Sequence, residues 1–291
     1  MQKRICTLGA VRYRERRLEF PMNPTVPIAV HGATGRMGQA VLRLALMEPR
    51  TPVVSALAKS GSPMIGKPLR EDFGFSAREL RYAASIESSA SPAVLIDFSS
   101  AQAFDSALAA AVARRIPFVS GTTGLTPAQF AALNQAAAKI AVLWSANFSI
   151  GIAVLARLAR DAAKALDGWD CEIAEAHHHN KKDAPSGTAL MLGRVVAEAR
   201  GDDFDRVAVR DRTASKAARD PSAIGFAVVR AGDIVGEHTV VFAGEGERIE
   251  LTHRAIDRDI FARGALRAAL WIAGRSAGTY SVADLLDSEK L

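Results

Sequence analysis

Between Glu175 and Ala189 the chain reads Glu-Ala-His-His-His-Asn-Lys-Lys-Asp-Ala-Pro-Ser-Gly-Thr-Ala. Three consecutive imidazoles, two lysines and an aspartate are too polar for a core. Imidazole moves protons near neutral pH, and a lysine does so once it is desolvated or set beside other cations. On an extended segment alternate side chains share a face, which places His177 and His179 on one side and His178 on the other. A turn after Asn180 would bring Lys181 close to His177. The run leads into Pro185-Ser186-Gly187-Thr188, the start of a helix with Ser186 as its N-cap. Backbone N–H groups and the positive dipole end at Gly187 and Thr188 suit a carboxylate. Proton-transfer groups beside an anion pocket make an acid–base active site. Two other readings stand beside it. Zinc would draw on His177, His179, Asp183 and Cys171, but there is no His-Glu-x-x-His and no cysteine pair with ligand spacing, so no metal is expected. A solvated polar loop is the better account of His179 and Lys182. Farther along, His238 and His253 read as structural or interfacial residues.

A second constellation lies near the start. His31-Gly32-Ala33-Thr34-Gly35-Arg36-Met37-Gly38 sits between a short apolar run and a helical pattern. Its glycines permit a tight turn and a close backbone approach to a pyrophosphate at the helix N-terminus. Gly32, Ala33, Thr34, Gly35, Arg36 and Met37 are therefore candidate dinucleotide ligands. The second strand ends Ala56-Leu57-Ala58-Lys59-Ser60-Gly61, without the acidic residue that would hold a ribose 2′-hydroxyl. Lys59 there suits a 2′-phosphate, so NADPH is expected over NADH, which remains possible. Ser120-Gly121-Thr122-Thr123-Gly124 and Trp144-Ser145-Ala146-Asn147-Phe148 fall at the ends of later strands, where open parallel sheets bind ligands.

Elements to position these residues can be read from periodicity. Strand runs at 26–31, 51–58, 94–98, 117–120 and 140–144 alternate with helical segments, which predicts an α/β fold with a Rossmann-like, doubly wound parallel sheet. After Asn147 a helix leads to a strand at 169–176, then the polar run, then a second helix. Strand-like runs at 223–230, 234–243 and 248–253 follow, joined by Ala231-Gly232-Asp233 and Gly244-Glu245-Gly246-Glu247. Successive hairpins predict a second, α+β domain on a mostly antiparallel sheet. A helix over 259–273 would return to the first domain. The division expected is 1–25 as an N-terminal extension without order, 26–148 plus 259–291 as the dinucleotide-binding domain, and 149–258 as a substrate-binding and oligomerisation domain. Residues 60–90 give no clear pattern.

The 291 residues are 49% apolar and 6% aromatic, with a formal charge of +6. Six basic and two acidic residues fall within 1–25, so the remainder is nearly balanced. No basic stripe with stacking aromatics argues for nucleic acid, and no apolar run reaches a membrane span. Cys6 and Cys171 cannot build a disulfide framework, which fits a reducing, cytoplasmic setting. Residues 1–25 lack the apolar stretch of a secretory signal. Met22 directly precedes Asn23-Pro24-Thr25, after which the first strand begins, and the functional chain is expected to begin near it.

At these residues the sequence resembles the dihydrodipicolinate reductase (4-hydroxy-tetrahydrodipicolinate reductase) family of the diaminopimelate and lysine pathway. The pattern Glu-x-His-His-x-x-Lys-x-Asp-Ala-Pro-Ser-Gly-Thr-Ala at 175–189 carries the likeness. It extends through 32–38, 121–124, 145–151, 230–238 and 247–253 to the helix holding Trp271. The resemblance implies nicotinamide-dependent reduction of a small cyclic dicarboxylate to tetrahydrodipicolinate. It implies His177 as proton donor or acceptor and Lys181 as proton donor. It implies His178, Gly187 and Thr188 on the substrate, and residues 32–37, 121–123 and 145–148 on the cofactor. It also implies a homotetramer built through the second sheet. Two departures stand out: Ala58 replaces a common acidic ribose ligand, and Ala153 replaces a common Asn. Three rivals are a short-chain dehydrogenase/reductase, a nucleotide-sensing protein without turnover and a zinc hydrolase. The first needs Tyr-x-x-x-Lys, which Tyr13, Tyr82 and Tyr280 do not supply.

Overall fold

The computed structural model describes residues 25–77, 80–213 and 216–288. The extension at 1–24, with Met22 and Cys6, lies outside the described residues.

The first half alternates as its periodicity requires. Strand β1 (Ile28–His31) runs into α1 (Arg36–Ala45), followed by β2 (Val53–Leu57), the short α2 (Arg70–Phe73), β3 (Tyr82–Ala83), β4 (Val94–Asp97) and α3 (Ala101–Arg114). Then come β5 (Phe118–Ser120), α4 (Pro127–Ala137) and β6 (Ala141–Trp144). The start of α4 is fixed by a capping box between Thr126 and Gln129, with Pro127 at the first helical position. The strands are short and almost wholly buried because helices cover both faces. Helices α3 and α4 pack their alanines and Phe104 on one face, while α1 packs on the other.

The second half begins with α5 (Ile150–Ala165), β7 (Asp170–His177), α6 (Gly187–Arg200), α7 (Phe204–Val207) and β8 (Ala208–Val209). It continues with β9 (Ile224–Arg230), β10 (Gly236–Ala243) and β11 (Arg248–Ala255), then α8 (Asp259–Ile272), β12 (Gly278–Tyr280) and α9 (Val282–Ser288). Helix α8 returns to the first sheet, as its pattern predicted, and lies against α1. Gly264 on α8 makes the fit possible, since a Cβ there would stand 1.8 Å from the Phe148 carbonyl oxygen. Strand β12 then adds a seventh strand beside β6.

The first sheet is parallel throughout, in the order β12-β6-β5-β4-β1-β2-β3. Strand order reverses between β1 and β4, and the crevice at such a switch point is where open α/β sheets bind ligands.

The second sheet has the order β11-β10-β7-β9-β8. It is mixed rather than mostly antiparallel. Strand β10 runs antiparallel to both β11 and β7, but β7 pairs parallel with β9, and β9 with β8. Of the two turns expected to close hairpins, 244–247 does so, with the Gly244 N–H donating to the Glu247 carbonyl at 3.0 Å. The turn at 231–233 instead carries the chain from one side of β7 to the other. Its path passes over the end of β7: Ala231 N–H donates to the His177 carbonyl at 2.9 Å, and His179 N–H donates to the Gly232 carbonyl at 3.2 Å. Helices α5 and α6 cover one face of this sheet around Ile173, Val240 and Phe242.

Candidate active site

The crevice edge is organised by a buried carboxylate. Asp97, at the end of β4, accepts from Ser120 Oγ at 2.9 Å, Thr122 Oγ1 at 2.7 Å and Ser99 N–H at 3.2 Å, and its Oδ1 lies 2.8 Å from His31 Nδ1. Burial pushes this carboxyl up, but these hydrogen bonds outweigh it and hold the pKa below the ordinary range. One charge thus ties the ends of three strands together. The glycine turn closes beside it. Gly32 has φ +75°, and a Cβ there would meet the Phe98 carbonyl oxygen at 2.5 Å. A Cβ on Gly38 would fall 2.1 Å from the Gly32 oxygen, so α1 can start this close to β1 only with glycine at that position. Thr34, Gly35 and Arg36 are exposed at the helix start, and the first turn of α1 holds no acidic residue. An N-terminus of this kind, with unpaired N–H groups and bare backbone, fits a pyrophosphate. Lys59 is exposed, two residues beyond β2.

Across the crevice stands the polar run. His177 is the last residue of β7 and is buried, with its Nδ1 2.5 Å from Glu175 Oε2. Glu175 is itself buried and is held four ways. The Arg230 guanidinium donates to both oxygens at 2.8 Å, Ser186 N–H donates to Oε1 at 3.0 Å, and the His177 ring occupies the fourth direction. Burying a lone carboxylate costs several kcal/mol; here a forked guanidinium and a backbone N–H offset that cost. Burial raises the Glu175 pKa, and Arg230, His177 and Ser186 more than reverse it, so the group stays ionised. The His177 pKa is lowered, first by burial and further by Lys181 and Arg230, against a smaller opposing pull from Glu175. His177 is therefore neutral near pH 7, with Nδ1 bonded to the carboxylate.

Ser186 caps α6 by accepting from Ala189 N–H at 3.3 Å, and its hydroxyl also lies 3.1 Å from His238 Nε2. The His238 ring stands edge-on to His177, with centroids 5.1 Å apart. Burial depresses its pKa to about 4. Gly236 gives the room, since a Cβ there would come within 3.0 Å of His177 Nε2. Lys181 Nζ pairs with Asp183 Oδ2 at 3.0 Å.

These two regions share one cleft. A cavity of about 380 Å³ is lined on one side by Met37, Gly121, Thr123 and residues 146–148, and on the other by His177, His178, Lys181, Thr188 and His238. A contiguous chamber of about 850 Å³ adds Ser145, Ser186 and Gly187. Asn147 bridges the walls: its Nδ2 donates to Thr188 Oγ1 at 3.0 Å.

Of the residues singled out in the sequence, His177, His178, Lys181, Gly187, Thr188, Met37, Gly121, Thr123 and residues 145–148 border this space. Alternation along the strand fails at His178, because β7 ends at His177 and the next residue also turns toward the cleft. Thr122 is buried, and its hydroxyl is committed to Asp97 rather than turned to the cleft. Ala33 is likewise buried within the turn. His179 and Lys182 are exposed. The zinc set is not assembled: Cys171 sits in the second core, with burial pushing its thiol up to about 12. Among the described residues no three His, Cys, Asp or Glu side chains are grouped so as to hold a metal ion.

Four contributors escaped sequence reading. His238 and His253 were expected to be structural or interfacial, yet both line the cleft. Glu175 belonged to the motif without a role. Arg230 had no local signal, since it reaches Glu175 only through the parallel register of β9 on β7.

A parallel sheet with a glycine turn at its switch point, facing imidazole and ammonium groups across a cleft, defines a nicotinamide-dependent oxidoreductase. Comparison with known proteins places it further. Residues 26–148 match the family model "Dihydrodipicolinate reductase, N-terminus", and residues 151–286 match "Dihydrodipicolinate reductase, C-terminus". The chain belongs to the dihydrodipicolinate reductase family. It is 47% identical over 270 residues to the 4-hydroxy-tetrahydrodipicolinate reductase of Stenotrophomonas maltophilia (strain K279a), covering 91% of this chain and 100% of that one. It is 48% identical over 264 residues to the enzyme of the same name from Xanthomonas campestris pv. campestris (strain B100), covering 90% and 98%. Among solved structures it is similar to a dipicolinate-bound dihydrodipicolinate reductase from Paenisporosarcina sp. TG-14. That match has a TM-score of 0.69 and 25% identity, covering 88% of this chain and 97% of that one.

Proposed function

We infer that this chain reduces 4-hydroxy-tetrahydrodipicolinate to tetrahydrodipicolinate in diaminopimelate and lysine synthesis. One observation carries the reading: the crevice turns at Gly121, Thr123 and 146–148 share a cavity with His177, His178 and Lys181. The reaction takes up a hydride and a proton and releases water. A bound reduced nicotinamide supplies the hydride. In this reading residues 32–37, 121–123 and 145–148 cradle the cofactor.

Lys181, held by Asp183, is the proton donor, and His177 the proton donor or acceptor. The N–H groups of Gly187 and Thr188 open α6 and lack intrahelical partners, so they receive a substrate carboxylate, with His178 beside them. Lys59, with Ala58 where an acid would stand, favours NADPH while leaving NADH usable. Residues 26–148 with 259–291 form the dinucleotide-binding domain, and 149–258 the substrate-binding and oligomerisation domain. Exposed Val228, Val229 and Ile249 on the second sheet support a homotetramer. No helix among the described residues is long and apolar enough to cross a membrane, which accords with a cytoplasmic enzyme.

The substrate is unstable, so the test generates it in place from pyruvate and aspartate semialdehyde with the preceding synthase. NADPH oxidation that requires both the synthase and this protein is the expected result. No oxidation above the synthase blank would overturn the reading.

A further inference from the structure

We propose that Arg230 and Glu175 form a positioning pair that sets the tautomer and the proton affinity of His177. The inference rests on the reading of His177 as a proton-transfer group. Glu175 Oε2 stands 2.5 Å from His177 Nδ1, so the ring hydrogen resides on Nδ1 and the Nε2 lone pair is left facing the cleft. An unheld carboxylate could swing or take up the proton itself. Here the Arg230 fork clamps both oxygens at 2.8 Å, and Ser186 N–H fixes Oε1 at 3.0 Å. Arg230 is anchored in turn by donating from Nη2 to the Asp183 carbonyl at 2.6 Å, so it also ties down the loop that carries Lys181.

The two members pull in opposite directions. Glu175 raises the proton affinity of His177, whereas Arg230 lowers it, both directly and by drawing charge off the carboxylate. The other groups around the imidazole are Lys181, His178 and Asp183 on the loop after β7, His238 on β10, and His253 and Arg258 on and after β11. None of these bonds to Nδ1, and of the pair only Arg230 also holds this loop, through the Asp183 carbonyl.

The distinguishing experiment reads His177 itself. In the full-length protein labelled at histidine, the His177 resonances are followed by NMR against pH, alongside kcat/KM against pH for NADPH oxidation. Glu175→Gln is expected to shift the His177 titration down by about one unit or more and to move the Nδ1 hydrogen toward a mixture of tautomers. Arg230→Gln is expected to shift it up, and the corresponding limb of kcat/KM follows each shift. A merely structural pair would lower activity in both variants without moving the titration in opposite senses.

Should Glu175→Gln leave Arg230 too poorly compensated to fold, the double variant Glu175→Gln/Arg230→Gln carries no unpaired charge. It should shift the titration down by less than the single change. Unmoved titrations, or shifts of one sign in both single variants, would overturn the proposal. A His177→Ala variant with full turnover would instead remove the reading on which it rests.

Discussion

The two walls of the cleft are built by different means. On the first, backbone does the work at the glycine turn: Gly32 and Gly38 bring β1 and α1 within van der Waals reach, where an added Cβ would meet main-chain atoms. Its buried charge, Asp97, spends its bonds on His31, Ser99, Ser120 and Thr122 beside it. On the second wall, side chains do the work. Glu175 gathers Arg230, His177 and Ser186 from three separate elements, and the buried His238 rests against His177. A turn that accepts a constant ligand group can be written in glycines. A site that must hold and release a proton needs titratable groups whose environment sets their affinity.

That contrast predicts distinct failures. The largest belongs to the second wall. His177→Ala and Lys181→Ala should each lower kcat by about 10²- to 10⁴-fold, with cofactor affinity by fluorescence titration unchanged. Loss of cofactor binding in either would merge the two walls into one function.

His238 comes next. Its folded pKa of about 4 lies below the unfolded value of 6.5, so the unfolded chain binds the extra proton between those limits. Stability from this group is complete above pH 6.5 and is lost as pH falls toward 4, on the order of 3 kcal/mol in total. Denaturant melts of His238→Asn should show less loss than the parent protein between pH 7 and pH 4. Equal acid sensitivity would mean that another group dominates.

How much of this was legible depended on distance along the chain. His177, Lys181, Gly187 and Thr188 fall within one dozen residues, and the glycine turn is as local, so types and spacing exposed both. Glu175 and Arg230 meet across a strand pairing 55 residues apart. That pairing was hidden because the turn at 231–233 looks like a hairpin, whereas the chain there crosses over β7. His238 shares the buried face of β10 with Val240 and Phe242 and so resembled a structural position, which it also is. Residues 60–90 gave no period because α2 and β3 are too short to show one, yet Tyr82 reaches Asp72 at 2.6 Å and receives Gln39 of α1 at 2.8 Å. Strand β12, three residues long, was missed for the same reason.

On the first wall, Gly38→Ala should raise the cofactor KM by about tenfold and cost roughly 1–3 kcal/mol of stability, since the new methyl meets backbone that cannot yield locally. Steady-state kinetics with thermal melts will check both; an unchanged KM would show that the turn does not touch the ligand. The smallest effect is expected at exposed Lys59. Lys59→Ala should raise the KM for NADPH roughly two- to fivefold and leave that for NADH unchanged, as for a solvent-screened ion pair.

The union of the two walls is tested most directly by a crystal structure with oxidised cofactor and dipicolinate, a stable aromatic diacid, bound together. The diacid ring should lie between the 121–123 and 145–148 turns and the His177–Lys181 pair. One carboxylate should rest on the N–H groups of Gly187 and Thr188, with His177 Nε2 or Lys181 Nζ within hydrogen-bond reach of the ring or its substituents. A diacid seated away from His177 and Lys181, with the nicotinamide ring turned from them, would contradict the account.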